Sequence, residues 1–356
     1  MTRFVTKLAA GTTALALAAV PGVASAQVDE KTGPVAYANA AAAKVGEGEG
    51  AGTVVTETQK SPLKAGESRL AQERNLLPKD EGEKKAIGAN YLVHLGKYNA
   101  DHNPYPEGIA SRDHNVVATL KDTNVPTATA ETNYALQDVT IGGKTEIDNT
   151  VLVLDKAKST VECAGSDKVT GTTTADKLWV RNAEGDLEEQ EVPAAGGELK
   201  LTDLPFGAPR DTDPKKGIED PAKTVSDLTV RPISEFDALL RQQQWRDGEL
   251  NAAAGWLVEI VTHVKDKDEK VLEDVKSQYV FGGVSCSIPE NFKPADPQSS
   301  TPQVPTKIPA GAIEPRDVDG GVSPLGLTLL GGGLLLGAGA VLTLRRRPAP
   351  VDERKS

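Results

Sequence analysis

Four histidines are the residues best suited to chemistry in this chain: His94, His102, His114 and His263. Two of them sit in "NADHNPYPEGIASRDHN", each directly after an aspartate. Asp101–His102 and Asp113–His114 therefore present two imidazoles and two carboxylates, a donor set that suits zinc with the carboxylates as ligands or as partners of the imidazoles. The spacing matches no standard helix-borne site, and loops are rich in these residue types in any case. His94 and His263 fall inside strand-like runs, where a structural role is expected. A Ser-His-Asp reading needs a nucleophile held against a base. No Gly-x-Ser-x-Gly elbow occurs in residues 27–321. "DTDPKKGIED" (211–220) opens like a calcium loop, then departs from it with Lys215 at the fifth position and glycine at the seventh. Paired glycosidase carboxylates cannot be recognised from spacing, because the two acids need not be close in sequence.

The two cysteines, Cys163 and Cys286, have neither a histidine nor a basic cluster beside them. A reactive thiolate needs such a neighbour, so a disulfide is the expectation. Period-two counting groups Val161 with Cys163, and Val280 and Val284 with Cys286, so both cysteines are expected on apolar strand faces. In "DKLWVRN", Trp179 shares a face with Lys177 and Arg181. An outward Trp between two cations is a candidate contact for a partner or glycan, or else a cover for the sheet edge held by cation–π contact. Trp256 alternates with Val258 and Ile260 and reads as core.

These residues need a framework, and the texture of 88–288 supplies one. "NYLVHL", "HNVVATL", "NTVLVLDKAKSTVEC", "DKVTGTTT", "DKLWVRN", "GELKLTD", "KTVSDLTVRP", "GWLVEIVTHVK" and "SQYVFGGVSCSI" are short β-prone runs separated by turn residues. With no alternating helices between them, the expected class is all-β, an antiparallel sandwich or barrel-like domain. One short helix is expected after Ser234, with Asp237 at the capping-box position and Phe236, Leu239 and Leu240 on one face. Residues 27–87 include "NAAAAKVGEGEGAG" and carry few large apolar side chains, so a mostly disordered segment is expected there.

The ends of the chain bear on location. Residues 1–26 have Arg3 and Lys7, an apolar stretch and Ala24-Ser25-Ala26, the three regions of a secretory signal peptide. Residues 289–321 hold seven prolines from Pro289 to Pro315 and are expected to extend as a stalk. Residues 322–344 carry no charge and are long enough to cross a bilayer. Arg345, Arg346 and Arg347 then act as a stop-transfer signal and place 345–356 in the cytoplasm. The whole chain carries −11; a signal of +2 and a tail of +3 leave the exported part, 27–321, at −16. That balance excludes nucleic acid as a partner.

The pieces "YLVHLGKYN", "VLVLDKAKSTVECAGSDKVTGTTTADKLWVRN" and "NAAAGWLVEIVTHVKDKDEKVLEDVKSQYVFGGVSCSIPE", with the overall layout, resemble the β-rich secreted surface proteins of actinobacteria that carry a C-terminal LAETG sorting signal. The resemblance spans about 88–290 and implies display at the cell surface, with no catalytic residues and no cofactor. The sorting motif itself is absent: "IPAGAIEPRDVDGGVSPLG" contains no Thr-Gly. The hydrophobic run is therefore expected to remain as a membrane anchor. The resulting expectation is a non-catalytic membrane-anchored surface protein that touches the lipid bilayer through its C-terminal helix and meets cell-wall polymer or another surface protein. The alternatives are a secreted envelope-glycan hydrolase and a metal-binding surface protein.

Overall fold

The computed structural model describes residues 27–46, 52–77, 90–141, 144–207, 223–240, 249–266 and 268–296. The signal segment, the apolar run 322–344 and Arg345–Arg347 lie outside the described residues, as does 211–220. Among the described residues, seventeen strands form two antiparallel sheets, and no helix is long and apolar enough to cross a membrane.

One sheet is built on two long strands, β16 (Glu249–Lys265) and β17 (Val271–Pro289). β15 (Lys223–Ile233) and β14 (Leu199–Leu204) extend it on one side. On the other, β17 pairs with β1 (Val35–Ala38) and β2 (Ala41–Val45), which pair in turn with β4 (Gln59–Lys60) and β3 (Gly52–Val55). The second sheet centres on β9 (Pro126–Asp138) and β10 (Thr150–Cys163). β9 also pairs with β7 (Tyr91–Leu95) and β8 (Asn115–Leu120), whose outer partners are β6 (Leu76–Leu77) and β5 (Gly66–Arg69). β10 also pairs with β11 (Val169–Thr174) and β12 (Lys177–Arg181), and β12 with β13 (Leu187–Gln190). A single large core lies between the inner faces, drawing Leu95, Tyr134, Leu152, Leu154 and Val180 from one sheet and Val230, Trp256, Ile260, Tyr279 and Phe281 from the other.

Residues 27–87 correct the sequence expectation most sharply. The alanine run read there as disorder forms β1 and β2, and Ala36, Ala38, Ala40, Ala41 and Ala43 are fully buried. β1 comes within 8 Å, Cα to Cα, of β8 and β9, which present Ala118, Ala128 and Ala130. Facing sheets ordinarily stand about 10 Å apart. Alanine is what a narrower gap admits, so low side-chain volume here marks close packing. The expected helix after Ser234 also fails within the described residues. It shrinks to a 3-10 turn, Phe236–Ala238, because Leu239 is already extended (ψ 134) and Glu235 offers no side-chain cap. The proline-rich segment begins later than expected. β17 runs to Pro289, Phe292 packs on the core, and the Ala295 amide donates to Thr123 O at 2.8 Å.

β17 changes face part-way along. Tyr279 and Phe281 point into the core, and so do Val284, Cys286 and Ile288, so parity switches at Gly282–Gly283. Opposite, the pairing jumps from Ala254↔Val284 to Trp256↔Phe281, which is a β-bulge. Gly282 takes φ +62, donates to Ala40 O at 2.7 Å, and has Ser159 Oγ and Tyr134 Oη only 3.2 Å from where a Cβ would stand. Val280 thereby falls on the opposite face from Cys286, packed with Leu257 and Ala42, contrary to uninterrupted counting. Gly282→Ala should lower stability by about 1–3 kcal/mol, since both the backbone conformation and the space favour glycine. Thermal melts of the two proteins check this; an unchanged melting temperature would refute the role given to the bulge.

Candidate functional site

The expected disulfide is present. Cys163 and Cys286 are at bonding distance with Cα atoms 6.0 Å apart, joining β10 in one sheet to β17 in the other inside the core.

The two Asp-His pairs do not come together. The 98–109 stretch lies over the outer face of the nine-stranded sheet, with Tyr105 and Ile109 buried against Ala135 and Val153. Tyr105 Oη accepts from Gly96 N at 2.8 Å and donates to Asn133 O at 3.2 Å. His102 is turned outward and pairs with Glu146 at 3.3 Å. Asp113 meets Lys97 at 2.9 Å. His114 is 2% exposed and donates Nε2–H to Ala71 O at 3.2 Å, and burial lowers its pKa. Among the described residues, no group of three or more His, Cys, Asp or Glu is placed to hold a metal ion. The polar residues of this loop sit at its rim because its aromatic and aliphatic residues face the sheet.

Trp179 is half-buried in the same satellite cluster, with Lys177 Nζ 5.3 Å from its ring centroid and paired with Glu189 at 3.0 Å. Its companion Arg181 does not face a partner. The guanidinium is buried and donates to the carbonyls of Thr150 (2.9 Å), Ile147 (3.2 Å) and Asp148 (2.6 Å), and also to Gly185 O. Sequence parity placed Arg181 beside Trp179 but carried no sign of the turn that Arg181 holds. This arrangement corresponds to the structural alternative, a covered strand with one cation–π contact, rather than an outward pair of cations.

A feature that sequence reading missed lies on the outer face of the eight-stranded sheet. Register places Lys200, Thr229, Glu259 and Gln278 directly opposite one another across β14, β15, β16 and β17. Beside this row run Arg231 and Leu257. The 3-10 turn contributes Asp237, Ala238 and, just beyond it, Leu240 as one wall of an open trough of about 380 Å³. Lys200 pairs with Glu198 at 2.7 Å. Glu259 accepts from Lys276 at 2.9 Å and from Gln278 at 2.8 Å. Burial pushes Glu259 upward, but these two donors prevail and hold its carboxyl below the ordinary range. Individual strands gave no hint of the site, since each contributes only one or two ordinary surface residues.

Further along the same face, His263 stands between two aspartates. Nδ1 is 2.7 Å from Asp274 and Nε2 is 3.3 Å from Asp227. Hydrogen bonding to Asp274 is the main reason its imidazolium is favoured, and its pKa rises. Both ring nitrogens are taken, so the imidazole has no free lone pair or proton for a substrate.

No protein-family model matches this chain, and no curated protein matches it.

Two outcomes follow from these placements. Arg181→Ala should destabilise the fold by about 2–4 kcal/mol, because buried carbonyls lose their donors, with Arg181→Lys recovering only part of the loss. Chemical denaturation of the three proteins measures it; equal midpoints would refute the carbonyl-holding role. His263 has a raised folded pKa, so its contribution is full below the unfolded value near 6.5 and disappears as pH rises through the folded value. His263→Gln should therefore lose stability at acidic pH and little at alkaline pH, by under about 1 kcal/mol because the aspartates are exposed. Melts across pH that stay parallel for both proteins would count against this.

Proposed function

We propose that the chain is an exported, membrane-tethered surface protein that acts by contact rather than by catalysis. In this reading a signal peptide directs export, the two-sheet body stands outside the membrane, and 322–344 remains in the bilayer as a single helix. The segment beyond 296 is the spacer, and the partner is wall polymer or another surface protein. The observation that carries the reading is the buried Cys163–Cys286 pair between the central strands of the two sheets. A disulfide in that position belongs to a chain that matures in an oxidising compartment, as the signal-like N-terminus implies. The absence of a Thr-Gly sorting motif before the apolar run supports retention of the anchor.

The chain leaves the body near the β8–β9 turn, where Ala295 is bonded to Thr123. The β16–β17 hairpin tip lies roughly 60 Å away along β17, at the strand rise of about 3.3 Å per residue. That tip carries Val271 and Leu272, the exposed large apolar residues of the described chain. The ion pairs around Glu259 favour contact over catalysis, because a carboxyl held below its ordinary pKa is a poor general acid.

A tag placed after Ser356 tests the reading. Fractionation of producing cells should recover the full-length tagged protein with the membrane. Finding the body bound to wall material and separated from its tag would overturn the anchor.

A further inference from the structure

The trough across β14, β15, β16 and β17 has the composition of a ligand site, and we propose that it binds an uncharged glycan segment laid across the strands. This deepens the reading of the chain as a surface contact protein and names the site and ligand class.

Three observations lead there. First, the floor is a register-fixed row of side chains that differ in hydrogen-bonding character: Lys200 donates, Thr229 does both, Glu259 accepts and Gln278 does both. At about 4.8 Å between strands the row spans roughly 14 Å. A chain of ring hydroxyls, each both donor and acceptor, complements such a row. A peptide would instead seek unpaired strand backbone, which the interior strands of this row do not offer.

Second, the charges of the row are already balanced within the protein. Lys200 is neutralised by Glu198, and Glu259 by Lys276. A polycation would have to open the Glu259–Lys276 pair, and a polyanion reaching for Arg231 would meet the carboxylates of Glu198, Asp237 and Glu259 in the same lining. A neutral polyol need only use spare lone pairs and protons. The −16 charge of the exported part further repels polyanions.

Third, Arg231 stands in the trough half-buried and its side chain makes no ion pair or hydrogen bond with any described residue; its neighbour in charge is Glu259. A planar guanidinium with five donors and none of them used within the described residues is suited to bidentate bonding of adjacent hydroxyls. The wall at Asp237, Ala238 and Leu240, with Leu257 beneath, supplies a small apolar surface for the ring carbons.

The test uses the full-length protein in detergent, applied to an array of short uncharged oligosaccharides (glucans, mannans, galactans and N-acetylglucosamine oligomers), with polygalacturonate and polylysine as charged controls. At least one uncharged glycan should bind. Affinity should change by less than about twofold between low and high salt, since no charge is neutralised on binding. Arg231→Ala should weaken it by about tenfold or more, the scale of losing one well-placed bidentate contact. Lys200→Ala, at an exposed edge position that leaves the core untouched, should weaken it less but measurably. Retained binding in both variants, preference for a charged control, or no uncharged ligand on the array would each overturn the proposal. None of these outcomes touches the fractionation result, so surface display stands or falls separately.

Discussion

The structure depends on the face switch at Gly282–Gly283 in β17. Above it, Tyr279 and Phe281 fill the core; below it, Val284, Cys286 and Ile288 do so. Without the extra residue, alternation would turn Cys286 outward, and the bond to Cys163 could not form. The partner strands obey the same switch. Ala36 and Ala38 face inward before the break at Asn39–Ala40, and Ala41 and Ala43 after it. The Asn39 amide and the Gly282 amide each bond across that break, to Gly283 O and Ala40 O. A single bulge therefore sets the phase of three strands and the reach of the disulfide.

Around that bulge, the inter-sheet gap is filled unevenly. Aromatic residues bridge it near the switch: Tyr134 stacks on Phe281 at 4.9 Å between centroids, and Tyr91 meets Tyr279 edge-on at 5.6 Å. Alanines close the gap where β1 passes β8 and β9. At the far side β11 leans over β16 so tightly that a Cβ on Gly171 would stand 2.5 Å from Ala253 O, and Trp256 Nε1 donates to Thr174 O. Burial of polar groups is correspondingly demanding. Asp138, fully buried, accepts hydrogen bonds from Thr140 and from the Gly207 amide, while burial pushes its pKa up. Large apolar side chains and a disulfide offset such costs in the same core.

The outer faces divide between cover and contact. On the nine-stranded sheet the 98–109 loop packs over Ala135 and Val153 beside Trp179 and covers that part of the face. On the eight-stranded sheet the described residues leave an open, polar trough over β14 to β17, edged by the 3-10 turn. Among the described residues, the trough therefore lies on a face built mainly from the long strands of the eight-stranded sheet.

Composition and alternation were enough to state the all-β class, nine of the strands, the core position of Trp256 and the pairing of the only two cysteines. Those properties are local, or follow from having two thiols and one oxidising route. Sequence reading missed β9, "PTATAETNYALQD", because its threonines and small residues look like loop until β10 covers them, and it missed β1 and β2 because alanine volume has meaning only against a facing sheet. Arg181 and Trp179 were placed on one face correctly in parity, yet the same parity could not tell a buried carbonyl clamp from an outward cation. The Asp-His pairs looked like a donor set because their spacing in the chain is short, while their spacing in space is set by Tyr105 and Ile109 packing on the sheet. The trough was illegible for the converse reason: Lys200, Thr229, Glu259 and Gln278 are far apart in sequence, and only strand register, decided by tertiary pairing and the bulge, sets them side by side.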